Sequence, residues 1–140
     1  MKPIAETQNS LVLRTDFSND AAWSAVSSAV QAPQAPWQFR ANVDLISDRD
    51  YEGATFAQLV SSATALADRT FIFVVDRTTV THVEHPVAVL DVWSEPGRSF
   101  RVIPSEMWSV ENNLSIGNMD FEEFADAVDA DGIFRGFPKI

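Results

Sequence analysis

The sequence predicts an α/β protein: one domain on a mixed sheet, with β-α-β-α-β crossovers, then a β-hairpin and two C-terminal helices. Three observations carry that expectation. Strand-length apolar runs alternate with segments of helical period through the first half of the chain, which implies right-handed parallel crossovers. Residues 70–76, TFIFVVD, form a continuous apolar run too short for a helix and rich in β-formers, as expected of a strand buried on both faces. The 140 residues are 46% apolar, with ten Phe and four Trp, enough for one sizeable core, and no second-domain linker interrupts them.

Residues 1–10 are polar and unpatterned and read as a flexible arm ahead of a single domain at 11–140. Leu11 to Arg14 makes a short first strand. Ser18 or Asn19 can then cap a helix with Trp23, Val26 and Val30 on one stripe, stopped by Pro33 and Pro36. Ala41 to Ile46 reads as the second strand, and SDRDYEG as a loop. Thr55 with Gln58 three residues on is a capping box, followed by Phe56, Leu59, Val60, Ala63 and Leu66 at helical spacing.

After the third strand, Thr70 to Asp76, the segments Pro86 to Trp93 and Ser99 to Ile103 read as a hairpin closed by the turn EPGR. Pro104 suits the first turn of a helix running through Trp108 toward Glu111, with Asn112 and Asn113 at its end. Asp120 with Glu123 forms an acidic capping box before the buried stripe Phe121, Phe124, Ala125 and Val128, and Gly132 supplies the stop.

Charge bounds the function. The net charge of −10 repels nucleic-acid phosphates and anionic lipid and favours a basic protein partner. The charge is also regional: Val102 to Phe134 carries eight of the twenty acids and no Lys or Arg. With no cysteine there is no disulfide, thiolate nucleophile or thiolate zinc site. The N-terminus lacks the apolar run of a secretion signal and no apolar run reaches transmembrane length, so a cytoplasmic location is expected.

No complete catalytic, nucleotide-binding or metal-binding motif is present. Asp16, Asp48 and Asp76 each follow a strand, on the edge where open α/β sheets bind ligands, and three converging carboxylates could hold Mg²⁺ for phosphoryl or hydrolytic chemistry. Turn and cap roles explain them as well, and no Gly-rich loop accompanies them. His82, Glu84 and His85 could begin a metal site, but HVEH runs straight into Pro86 and does not make the helical zinc motif. DAVDADG fails as a calcium loop, since Ala127 and Pro138 fall where ligands are needed.

The segment EMWSVENN is weighed between core packing and recognition. As a recognition surface, Trp108 would be the anchor, Glu111, Asn112, Asn113 and Asn118 would flank it, and Glu122 and Asp126 would extend its negative field.

The stretches SLVLRTDFSNDAAW, FIFVVD, EHPVAVLDVW and RSFRVIPSEMWSVENNLSIGNMDFEEFADAVDADGIFRGF resemble an uncharacterised family of small bacterial proteins, a domain of unknown function, over Ser10 to Phe137. That resemblance implies no activity. LSIGNMDFEEFADAV is similar to the closing strand and helix of SUKH-type immunity proteins, acidic cytoplasmic toxin binders. The leading expectation is thus a non-enzymatic acidic binder, without cofactor, that holds a basic protein through its C-terminal third as an immunity or antitoxin-like factor. The alternative is a small metal-dependent hydrolase or phosphoryl-transfer enzyme using Asp16, Asp48 and Asp76.

Overall fold

The computed structural model describes residues 1–4, 6–63 and 69–138. Leu66, expected on the second helix, lies outside them. The elements run β1 (Ser10–Arg14), α1 (Asp20–Gln31), β2 (Val43–Ile46), α2 (Phe56–Ala63), β3 (Phe71–Val75), α3 (Arg77–Thr81), β4 (Val87–Asp91), β5 (Ser99–Val102), α4 (Met107–Ser115), α5 (Phe121–Ala125) and β6 (Ile133–Phe134). They build one six-stranded mixed sheet in the order β2-β1-β3-β4-β5-β6.

β1 pairs in parallel with both β2 and β3, with Val12 opposite Leu45 on one side and Phe73 on the other. The chain therefore leaves β1, crosses to β2, and returns past β1 to β3. With right-handed connections, a reversal of that kind puts the two crossover helices on opposite faces. Packing follows suit. Val12, Phe73, Val75 and Val89 meet Val26 and Val30 of α1, Met107 and Val110 of α4, and Phe124 of α5. Leu11, Leu13, Ile72, Val74 and Leu90 point the other way, toward Leu59 and Ala63 of α2 and toward Tyr51. β1, β3 and β4 are buried along their whole length, as strands covered on both faces must be.

The helix starts use the chemistry their sequences offered. Asn19 accepts the Ala22 N–H ahead of α1, and Thr55 and Gln58 exchange the two bonds of the expected capping box. At the far side of the sheet, aromatic rings join the last elements. Phe124 of α5 lies 5.2 Å from Phe134 of β6 and 6.3 Å from Phe100 of β5. Each fully buried ring contributes about 1.5–3 kcal/mol by leaving water, so Phe124 is the main hold on a helix of only five residues.

Several features differ from the sequence expectation. α3 was not expected; Asp76 caps it by accepting the Thr79 N–H. β6 was not expected either, and it pairs in parallel with β5. Gly132, expected to stop the last helix, instead occupies a left-handed turn (φ +80°) that feeds β6, because α5 ends at Ala125. The first ten residues, read as a flexible arm, are packed at Ile4, which is buried beside Leu11 and Leu59. The Pro3 carbonyl accepts from the Tyr51 hydroxyl, and Thr7 and Asn9 accept from the Arg69 guanidinium. Among the described residues no helix is long and apolar enough to cross a membrane.

Candidate functional site

The EMWSVENN segment lies on α4, and most of it faces inward. Glu111 is 2% exposed, which removes it from the exposed recognition surface expected of it. Its carboxylate accepts the Ser10 hydroxyl and the Asn42 N–H, each at 2.8 Å, and so brackets the starts of β1 and β2. Trp108 is half-buried and stacks on Phe39, ring centres 4.9 Å apart. Asn112 donates to the Arg40 carbonyl. Asn113 bonds back to the Ser109 carbonyl and receives the Asn118 amide, so this pair shapes the turn after α4. These five residues are largely engaged within the molecule and do not form the single exposed surface expected of them. Glu122 and Asp126 do remain exposed.

A residue the sequence did not single out organises the loop beside them. Asp91, at the end of β4, is buried, and its carboxylate accepts the backbone N–H groups of Trp93, Ser94 and Glu95 at 2.9–3.0 Å. Three donors replace the water the carboxylate gives up, and together they fix the hairpin loop. That loop holds Trp93 with 72% of its surface in solvent. Opposite stands the N-terminus of α5, organised by the Asp120–Glu123 capping box. Between them lies a cleft of about 290 Å³ whose lining includes Trp93, Glu95, Arg98, Asp120, Phe121 and Glu122. Arg98 pairs with Asp126 at 3.0 Å and reaches Glu95 at 3.8 Å. Among the described residues, Asp120 and Glu122 have no ion-pair partner. DVWSEPG contained the signal for this loop, an Asp at the mouth of a turn with amides ahead of it, but periodicity reads it only as a hairpin end.

The strand-end aspartates are each committed to local partners. Asp16 accepts from the hydroxyl and N–H of Ser18, bonds that hold its carboxyl below the usual range. Asp48 caps a 3₁₀ turn and pairs with Lys2, which lowers its carboxyl as well. Asp76 is half-buried. Burial pushes its carboxyl up, but the Arg101 guanidinium at 2.8 and 2.9 Å and the bonds from Thr79 outweigh that, leaving it below the usual range. The three do not gather: among the described residues no group of three His, Asp or Glu is placed to hold a metal ion.

The His82–His85 loop is likewise tied down. His82 Nδ1 accepts the Glu84 N–H, and His85 Nδ1 lies 2.9 Å from the Thr79 carbonyl. Glu84 joins Asp129 and Asp131 around Arg135, each at 2.7 Å, which raises the Arg135 pKa further and lowers those of Glu84 and Asp131. Asp129 and Asp131 of DAVDADG thus anchor β6 through Arg135.

A family model described as a domain of unknown function, DUF6924, matches residues 9–137. The chain belongs to this family. The match to DUF6924 spans both the cleft and Glu111, and it bears out the family resemblance read from the sequence. It lends nothing to the SUKH resemblance of residues 114–128. No curated protein matches the chain.

Proposed function

We propose that this DUF6924 protein is a non-enzymatic binding protein that takes a basic segment of a partner protein into the cleft between the hairpin loop and α5. One observation carries the reading: Trp93, 72% exposed, stands in the same cleft as Asp120 and Glu122, carboxylates without an ion-pair partner among the described residues. An indole face attracts a Lys or Arg head group, and adjacent carboxylates accept its N–H donors. Exposed aromatic anchors of this kind contribute much of the affinity at protein interfaces. The net charge of −10 speeds encounter with a basic partner. An immunity or antitoxin-like role is the narrower case in which that partner is a toxin.

The test is titration of a lysine-rich peptide, followed by Trp fluorescence. Trp93→Ala and Glu122→Lys should each weaken binding, raised salt should weaken it in the unmodified protein, and Glu52→Lys, on a remote 3₁₀ turn, should change little. Equal binding of a glutamate-rich control peptide would refute the reading.

A further inference from the structure

A second cavity of about 730 Å³ lies across the starts of β1 and β3, between residues 6–10 and the C-terminal end of α4. Its lining includes Glu111 and Arg69, together with the apolar side chains of Phe71, Leu114 and Ile116. Glu111 and Arg69 carry opposite charges, and among the described residues neither has an ion-pair partner. Glu111 accepts from Ser10, Asn42 and, at 3.4 Å, Asn112, all neutral donors. A carboxylate offers about four acceptor positions, so one remains. Among the described residues, Arg69 donates to the Asn9 carbonyl and to the carbonyl and hydroxyl of Thr7, three contacts against a guanidinium's five N–H groups. The two charges are set by consecutive residues of one strand start, since Arg69 binds Asn9 and Glu111 binds Ser10.

We infer that this cavity is a site for a free α-amino acid with an apolar side chain. The ammonium would take the open acceptor of Glu111, the carboxylate the spare donors of Arg69, and the side chain the apolar wall at Phe71, Leu114 and Ile116. A buried carboxylate among neutral donors gains most from a cation that displaces water beside it. A ligand with both charges on one carbon matches the pair without adding net charge. Glu6 also lines the cavity, but it is exposed and screened by solvent. This site adjoins the Trp93 cleft, since Thr70, Phe71, Leu114 and Gly117 line both cavities, but Glu111 and Arg69 line this one alone, so variants at those two residues test it apart from the cleft.

The experiment follows backbone amide signals of the ¹⁵N-labelled full chain during titration with L-leucine, isoamylamine and 4-methylpentanoate. Leucine at millimolar concentration should move the Ser10 and Asn42 signals, and the amine and acid, each lacking one charge, should bind at least about tenfold more weakly. Glu111→Gln and Arg69→Gln should each weaken leucine binding by a similar factor, whereas Glu52→Lys, at a residue that lines neither cavity, should not. If Glu111→Gln fails to fold, Arg69→Gln decides. Unmoved Ser10 and Asn42 signals, amine binding equal to leucine binding, or wild-type affinity in Arg69→Gln would overturn the inference.

Discussion

A carboxylate leaves water at a cost of several kcal/mol unless donors replace its hydration, and Glu111 meets that condition with the Ser10 hydroxyl and the Asn42 amide. Glu111→Ala removes both acceptors and strands the Asn42 N–H, with an expected loss of about 1–3 kcal/mol in urea unfolding. Glu111→Gln can keep its oxygen on Asn42 and turn its amide to the Ser10 oxygen, so its cost should be the smaller. Equal losses for the two variants would contradict this account. Nothing around EMWSVENN marks Glu111 as interior, because its partners lie 101 and 69 residues away. Helical spacing reports which residues share a face, not what waits opposite.

Asp76 makes the pH dependence testable. Its folded-state pKa lies below the ordinary value of 3.8, so its stabilisation is complete above that value and is lost as pH falls through the depressed one. Asp76→Asn should therefore cost about 1.5–3 kcal/mol at neutral pH and progressively less on acidification toward about pH 2. Urea midpoints for both proteins across that range provide the check, and a constant difference would count against it.

Among the elements, the hairpin loop depends on Asp91 more than on the strands it joins. Asp91→Ala should release the amides of Trp93, Ser94 and Glu95 to faster hydrogen exchange while the amides of β3 stay protected. It should also weaken binding of the lysine-rich peptide, since Trp93 would no longer be held at the cleft. Both crossover helices and β1 to β5 were legible because their apolar periods are long enough to show. β6, two residues at an edge, has no period to read, and α3 announces itself only through Asp76 and Thr79 at cap spacing. The cleft was half legible: Glu122, and Asp126 paired to the cleft's Arg98, stood out by charge, whereas Trp93 and Asp91 acquire their roles only once the loop faces α5.

For the whole molecule, burial grades from the centre of the sheet outward. β1, β3 and β4 are covered on both faces and paired on both sides, while β2 and β6 each have one paired side. Hydrogen exchange should be slowest in the first three and faster in β2 and β6, and equal protection throughout would mean that the edges are as firmly held as the centre. At the same scale, the association rate with a basic peptide should fall with rising ionic strength more steeply than the dissociation rate rises, because steering acts on encounter. Stopped-flow mixing at several salt concentrations separates the two.

The bracket at Glu111 also bears on the order in which the chain assembles. During synthesis the N-terminal segments emerge first, and strand pairing over long separations is slow to be rewarded. β1 and β2 leave the ribosome well before Glu111 exists to join their starts, and the face of the sheet bearing Val12 and Phe73 waits for Met107, Val110 and Phe124 to be made. The nascent chain thus carries an uncovered apolar surface until its last third appears. Arrival of that acidic third both closes the core and supplies much of the charge that keeps the finished molecules apart.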